Sequence, residues 1–223
     1  MEYPKNLEYV KASQDASDNL DMYTEATIAE SNEAITDEFG VKYSKDGRKL
    51  LEAPQNLDGT YSIKEGTKII CNMAFGDCRS LCSVVIPDGV TSIWDYAFEG
   101  CGSLKSLVIP DSITRIENGV FRGCGSLKSL VIPDSITRIE NGAFEGCRSL
   151  SSLVIPDGVT SIGHRAFRDC TSLTDIVIPD SVAIIGYYAF EGCSFPYDLK
   201  QELSSRFGEG IFEQLYGLYY YGE

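Results

Sequence analysis

The sequence is poor in histidine and in basic residues, and it contains no long apolar run. His164 is the only histidine, so a metal site built on several imidazoles is excluded. The 19 basic residues are outnumbered by 33 acidic residues, and the resulting net charge of -14 repels the phosphate backbone of a nucleic acid. Because no run reaches about 18 apolar residues, no membrane-spanning helix is expected. Nucleic-acid binding and membrane insertion are therefore disfavoured.

Targeting signals are also missing from the ends of the sequence. The first residues, MEYPKNLEYV, do not combine a basic start with an apolar stretch, and no lipidation motif or hydrophobic anchor closes the chain. We therefore expect either a protein that stays inside the cell or a chain from which an export signal has been removed. Apolar residues make up 43% of the sequence and charged residues 23%, which is typical of a globular protein.

A fixed interval of 23 residues dominates the sequence. An interval of this kind indicates a solenoid built from repeated coils. Residues 100–119 reappear unchanged at 123–142, so the middle coils are interchangeable and any specificity lies where the units differ. The recurring positions include Cys78, Cys101, Cys124, Cys147, Cys170 and Cys193, and also Phe75, Phe98, Phe121, Phe144, Phe167 and Phe190.

Each unit predicts the same short path of the chain. The alternation around Leu107 and Ile109 indicates a strand that turns both side chains inward and Val108 outward. Pro110 ends this strand, because proline cannot donate a hydrogen bond to a ladder. A second short extended segment follows, and then a tight helical or irregular return that carries Phe121 into the core. One coil cannot bury its apolar slice alone, whereas stacked coils can.

The repeat elements I-P-D, A-F-x-G-C and S-L-x-x-L closely resemble the BspA-like leucine-rich repeats over residues 63–194. The resemblance implies an α/β repeat fold. This is a leucine-rich-repeat solenoid of five full coils and one partial coil, with a parallel β-sheet on its concave face and short strands and helical turns elsewhere. Family members are typically secreted or surface-exposed, and some are adhesins that bind matrix or plasma proteins of a host. The family shares no binding residue that could be transferred to this chain.

The flanks are expected to close the two ends of the stack. Residues 1–40 indicate an acidic leader, partly disordered or weakly helical, with an acidic arm for a basic partner as the alternative. Residues 41–62 predict a hairpin cap around an Asp-Gly turn. Residues 195–223 predict a cap helix, begun by a capping box of Asp198 and Gln201, and an aromatic tail that packs on the cap or makes an exposed contact.

The cysteine ladder suggests metal or disulfide sites, and its spacing disfavours both. A metal site needs clustered ligands. Stacked rungs lie about 4.8 Å apart, farther than the roughly 3.8 Å between the Cβ atoms of a disulfide. We therefore expect buried, reduced thiols that fill the core, with no metal and no cofactor. Cys71 and Cys82 lie off the ladder and are expected to be exposed and reactive.

An enzymatic function has little support. Glu117 and Glu140 lie one coil apart, a separation like that of the two carboxylates of a retaining glycosidase, but nothing beside them predicts a sugar pocket. The sequence contains no nucleophile elbow, phosphate-binding loop or dinucleotide motif. We expect no catalytic residue, and a carbohydrate-active enzyme is kept as a remote alternative.

Two surfaces are predicted to contact a partner. The first is a stripe of outward valines on the concave sheet beside two lysines, although β-propensity alone also explains valine at these positions. The second is an aromatic patch at two variable positions of the first and last coils. The stripe comprises Val85, Val108, Val131, Val154, Val177, Lys105 and Lys128, and the patch comprises Trp94, Tyr96, His164, Arg165, Tyr187 and Tyr188.

These features favour a non-enzymatic protein-binding module whose ligand is a protein or a glycoprotein. By the family resemblance, it would be a secreted or cell-surface, adhesin-like protein of a host-associated bacterium. The missing export signal and the reduced thiols favour the alternative, an intracellular interaction scaffold.

Overall fold

The computed structural model describes residues 26–212, and its first part is a short helix with three strands. In α1, Thr27 and Glu30 form a capping box, in which each side chain accepts a hydrogen bond from the backbone amide of the other. Residues 26–40 of the expected acidic leader are therefore folded, and the rest of that leader lies outside the described residues. The elements are α1 (Ile28–Asn32), β1 (Ile35–Thr36), β2 (Lys42–Tyr43) and β3 (Lys49–Glu52).

The strands β2 and β3 pair antiparallel around an Asp-Gly turn, as the hairpin motif predicts. The carboxylate of Asp46 accepts a hydrogen bond from the amide of Arg48 at 3.0 Å. Gly47 has φ of +73°, a left-handed conformation that glycine adopts without steric cost. β1 pairs with the other edge of β2, and β3 pairs in parallel with Ile69–Ile70, the second strand after it in the sequence.

Two columns of short parallel strands make up the stack. Paired residues such as Val154 and Val177, or Ile139 and Ile162, are 23 residues apart, so each coil lies in register on the next. The chain is therefore the predicted solenoid. The first column comprises β4 (Gly59–Ser62), β6 (Leu81–Val85), β8 (Ser106–Leu107), β11 (Ser152–Val154) and β13 (Asp175–Val177). The second comprises β5 (Ile69–Ile70), β7 (Ser92–Ile93), β9 (Arg115–Ile116), β10 (Arg138–Ile139), β12 (Ser161–Ile162) and β14 (Ile184–Ile185).

Parallel pairing begins earlier than the repeat pattern indicates. β4 already pairs with β6, so the stack includes Gly59 and does not begin at Ile63. Tyr61 of β4 is buried at the inward position that Val84 and Leu107 occupy in later coils. The tyrosine differs from the aliphatic consensus, which is why the motif alone places this strand outside the repeats.

The core is a column of stacked phenylalanine rings, one from each coil. Neighbouring rings have centroids 5.0–5.7 Å apart and are tilted by at most 15° from parallel. The return that carries each ring is a series of hydrogen-bonded turns, not a helix. The inward strand residues Leu107 and Ile109 are buried beside this column, as the alternation predicts. The six rings belong to Phe75, Phe98, Phe121, Phe144, Phe167 and Phe190.

The cysteine ladder forms a second column inside the stack. All six ladder cysteines are buried and free. The Sγ of Cys124 donates to the carbonyl oxygen of Phe98 at 3.2 Å, and this weak hydrogen bond is repeated from coil to coil. Burial raises the pKa of the Cys124 thiol to about 12. These side chains are therefore reduced thiols that fill the core, as the spacing predicts.

The expectation that both off-ladder cysteines are exposed is wrong for Cys71. This residue is fully buried in a small cluster with Leu51 and Ile69, which Ala26 and Ala34 of the N-terminal segment cover. The burial raises the pKa of the Cys71 thiol to about 11. Cys82 is partly exposed, as expected.

The helix α2 (Tyr197–Phe207) follows the last coil and packs its apolar face against the core. Leu203 is buried, and Leu199 is partly buried beside it. The predicted capping box is wrong, because the helix begins at Tyr197 and Pro196 occupies the cap position. Asp198 therefore lies inside the first turn.

A 3₁₀ helix (Glu209–Ile211) continues the hydrogen bonding of the stack beyond the last coil. The backbone amides of Tyr188 and Phe190 donate to the carbonyl oxygens of Gly210 and Ile211, each at 2.8 Å. The predicted aromatic tail at 216–221 lies outside the described residues. Between residues 26 and 212, no helix is long and apolar enough to cross a membrane, and no cluster of three or more His, Cys, Asp or Glu side chains could hold a metal ion.

Thiol titration of the native protein with a disulfide reagent at mildly alkaline pH tests this burial. We expect one fast-reacting thiol, Cys82, because burial keeps the other seven protonated and shielded. Denaturing guanidinium should release all eight. In Cys82→Ser the fast phase should disappear, and a fast phase that persists in this variant would contradict the buried position of Cys71.

Two candidate binding surfaces

The predicted valine stripe lies exposed along the first column of strands. Its valines face outward because the neighbouring residues in each strand, such as Leu107 and Ile109, are buried. Parallel pairing places like residues side by side, for example Val108 beside Val131 and Val154 beside Val177. The exposed fractions are 54% for Val85, 75% for Val108, 76% for Val131, 66% for Val154 and 55% for Val177.

The edge of the valine stripe is locally basic in an acidic protein. Lys105 and Lys128 are exposed one coil apart beside it, and in the described part of the chain neither forms an ion pair. The residue that follows each of these lysines is an exposed serine, Ser106 or Ser129, and the aligned residue of the last coil is Asp175. A partner that covers the stripe would therefore meet apolar side chains beside two free cations.

The predicted aromatic patch divides into two parts. Five of its six residues line one open groove of about 420 Å³, which we call the tyrosine groove: Tyr96, His164, Arg165, Tyr187 and Tyr188. Trp94 does not join them. Its ring packs against the small cluster of Leu51, Ile69 and Cys71, because the N-terminal segment folds over that side of the first coils.

A ladder of left-handed backbone conformations builds the tyrosine groove. At one aligned position of every coil, φ lies between +54° and +62°, and the amide there donates to a carbonyl of the next coil, as Gly119 does to Asn141 at 2.9 Å. A second aligned position, four residues further along the chain, is also left-handed and includes Asp77 and Asp169. Glycine adopts this conformation without steric strain, whereas in other residues it costs about 1–2 kcal/mol of conformational energy. The middle coils use glycine, and the outer coils carry large side chains. In order, the ladder is Met73, Tyr96, Gly119, Gly142, Arg165 and Tyr188.

The residue before the left-handed position accepts a hydrogen bond from the next coil at three places, Asp95, Asn141 and His164. The carboxylate of Asp95 accepts from the amide of Asn118 at 3.0 Å, and the Asn141 side chain accepts from the amide of His164 at 2.8 Å. The amide of Tyr187 donates to Nδ1 of His164 at 3.0 Å, and the two rings stack at 5.6 Å. His164 therefore holds Tyr187 in place, with its proton on Nε2.

A row of alternating charges, which sequence reasoning missed, forms a wall of the stack beside the groove, and two of its members, Arg122 and Glu145, line the groove. Arg122 lies between Glu99 at 3.7 Å and Glu145 at 3.3 Å. Arg168 lies between Glu145 at 3.7 Å and Glu191 at 2.6 Å. The signal was visible as Glu, Arg, Glu, Arg, Glu at 23-residue intervals. Burial raises the pKa of Glu99, and the nearby Arg122 opposes this shift.

The carboxylates that resemble a glycosidase pair do not line the tyrosine groove. Arg115 bridges them, with its guanidinium 2.6 Å from Glu140 and 3.6 Å from Glu117. Burial raises the pKa of the Glu117 carboxyl, and the nearby Arg115 only partly opposes this shift. These two carboxylates directly follow β9 and β10 and form an ion-paired network with Arg115.

Short parallel strands, an aromatic core column and one cysteine rung per coil define a leucine-rich-repeat solenoid. The chain belongs to the family described as the BspA type Leucine rich repeat region, whose six copies match residues 59–171 and 137–219. Proteins of this family are typically secreted or exposed at the cell surface. No curated protein matches the chain.

Several solved bacterial structures are similar to the chain. A leucine rich cell surface protein from Faecalibacterium prausnitzii A2-165 is 36% identical with a TM-score of 0.62. The match covers 65% of this chain and 39% of that protein. A leucine rich repeat protein of T. pallidum is 27% identical with a TM-score of 0.64, and the match covers 77% of this chain and 91% of that protein. A leucine-rich repeat protein from Eubacterium ventriosum ATCC 27560 shares the fold at 24% identity and a TM-score of 0.60, covering 74% and 50%. The chain thus spans less than two thirds of the first and third proteins.

Substitutions of Arg165 test the left-handed ladder. Arg165→Gly should be about 0.5–1 kcal/mol more stable than Arg165→Ala in urea unfolding, because only glycine relieves the left-handed strain. Arg138 provides the matched control, since it is exposed in a strand with ordinary φ. There the order should reverse, with Arg138→Ala more stable than Arg138→Gly. Equal stabilities of the two Arg165 variants would contradict the strain.

Proposed function

We propose that this chain is a non-enzymatic protein-binding module, exported or held at the cell surface in an adhesin-like role, and that the valine stripe contacts its partner. The observation that carries the proposal is the exposure of five aligned valines, each at 54% or more. Contiguous exposed apolar patches are typical of interaction sites, and solenoids bind partners along such faces.

The energetics of the stripe favour a partner that covers several coils. Burying a valine side chain completely contributes about 1.5–3 kcal/mol, so covering several half-exposed valines offsets part of the cost of association. Amides and carbonyls along much of the stripe are already paired from coil to coil, as in Val154 with Val177. A partner is therefore recognised by its side chains, and Lys105 and Lys128 favour acidic groups around its apolar contact.

The family and the fold are generally non-enzymatic, and this supports a binding role. The similarity to a cell surface protein of F. prausnitzii, over 65% of this chain, supports the proposed location. The intracellular scaffold remains the second candidate function, because all eight cysteines are free, as is usual in a reducing compartment.

The double variant Val131→Asp/Val154→Asp tests the stripe. We expect it to fold normally, since both side chains are exposed, and to lose at least tenfold in affinity for a partner protein, because the carboxylates must be desolvated on binding. The measurement is surface plasmon resonance against immobilised fibronectin, fibrinogen and laminin.

The matched control is Ile184→Asp, which places the same acid at another exposed apolar strand residue outside the stripe. It should leave the affinity unchanged. Equal binding by the double variant and the wild-type protein would exclude the valine stripe as the contact surface. Equal losses in the double variant and in Ile184→Asp would show a nonspecific effect of charge.

Labelling of intact source cells with a membrane-impermeant amine reagent separates the two locations. We expect the protein among the labelled species, because an exported chain presents its surface lysines to the reagent. A cytoplasmic protein of known location is the control for leakage. Labelling that occurs only after lysis would favour the intracellular scaffold and direct the search to cytoplasmic partners.

A further inference from the structure

We propose that the tyrosine groove binds a neutral oligosaccharide, in addition to the protein-binding role proposed for the valine stripe. The groove lies in the turns that follow the second strand of each coil, so it is separate from the stripe on the first strands. Its volume of about 420 Å³ falls within the roughly 300–1,000 Å³ of small-ligand sites.

The shape of the groove depends on two buried glycines at its floor. A Cβ at Gly119 would collide with the ring of Tyr96, so the ring lies over this residue because no side chain is present. Gly142 forms the floor one coil further along. Beyond it, the Arg165 guanidinium lies 5.7 Å from the centroid of the Tyr188 ring. The floor is therefore bounded by an aromatic ring on one side and by a cation over a second ring on the other.

The side chains of the groove match the two faces of a sugar ring. The face of a tyrosine ring is electron-rich and attracts the C–H face of a saccharide, as it attracts the positive edge of another ring. Sugar hydroxyls donate and accept hydrogen bonds at once. Asn141 offers both groups, Glu145 accepts, and Arg122 donates, and all three are at least partly exposed in the lining.

The charges of the groove favour a neutral ligand over a strongly anionic one. Arg122 is paired with Glu99 and Glu145, which leaves Arg165 as the one lining cation without an acidic partner in the described part of the chain. A single free guanidinium donates hydrogen bonds to hydroxyls without requiring a phosphate or sulfate.

The backbone of the floor disfavours an extended peptide. Peptides that bind as added strands need free backbone amides and carbonyls. Here the amide of Gly119 donates to Asn141 and the amide of Gly142 donates to His164, each at 2.9 Å, within the coil-to-coil ladder. Recognition must therefore use the side chains that surround the floor.

Backbone strain supports selection of these side chains for binding. Tyr96 and Arg165 adopt left-handed conformations with φ of +58° and +56°, at positions where the middle coils use glycine. Strained residues with large, accessible side chains cluster at functional sites. The duplicated middle coils thus provide the glycine floor and the polar side chains Arg122, Asn141 and Glu145, and the divergent outer coils provide the aromatic side chains.

Saturation-transfer difference NMR on the full chain tests the proposal with a panel of maltotriose, cellotriose, chitotriose, mannotriose, lactose and N-acetyllactosamine. We expect at least one of these sugars to bind, and Tyr96→Ala and Arg165→Ala each to weaken that binding at least tenfold. Both changes retain a Cβ, so they remove the side-chain contact without adding backbone freedom. Tyr96→Phe should keep most of the affinity, because it keeps the ring.

Tyr197→Ala is the matched control, since Tyr197 is 74% exposed on α2 and lies outside the groove. It should bind the sugar like the wild-type protein, and so should the double valine variant, which makes failure here distinguishable from failure of the proposed function. The proposal is overturned if no sugar of the panel binds, or if binding survives in Tyr96→Ala or in Arg165→Ala.

Discussion

The parallel hydrogen bonding between coils is the constraint on which the rest of this structure depends. Because each coil pairs with the next at an offset of 23 residues, every side chain lies beside the side chain at the same position of the neighbouring coil. A residue type that recurs at one repeat position therefore forms a column along the stack. Phenylalanine rings form such a column in the core, with thiols beside them, valines on the outer surface and glycines under the groove. The columns differ in chemistry, but one register aligns them all.

This register explains why so much could be predicted from the sequence. Repeats at a fixed interval, together with strand alternation, are sufficient to assign Leu107 and Phe121 to the core and Val131 to the surface. The unexpected burial of Cys71 and the separation of Trp94 from the tyrosine groove have one common cause. Both positions face outward in a regular coil, but residues that include Ala26 and Ala34 cover them. That segment lies outside the repeats and looked disordered from its composition, so periodicity carried no information about the cover.

The groove was less predictable than the stripe because it depends on backbone conformation. Outward valines follow from alternation alone, whereas a left-handed position can be recognised from sequence only where glycine occupies it. Tyr96 and Arg165 carry no such signal, although Gly119 and Gly142 occupy the same ladder. The charged wall was visible as a pattern, but its meaning required knowing that positions 23 residues apart face each other. Helix α2 illustrates a smaller limit, since propensity located its body and misplaced its first residue.

The alternating charges also restrict how the number of coils can change. The two nearly identical middle units differ at Arg122 and Glu145, and this difference puts opposite charges next to each other along the wall. Loss of one coil would bring Glu99 against Glu145, and gain of one copied coil would place two equal charges in contact, which is unfavourable for adjacent side chains. Recombination among such similar units is therefore tolerated best when it adds or removes coils in pairs, so that the length of the solenoid changes in even steps.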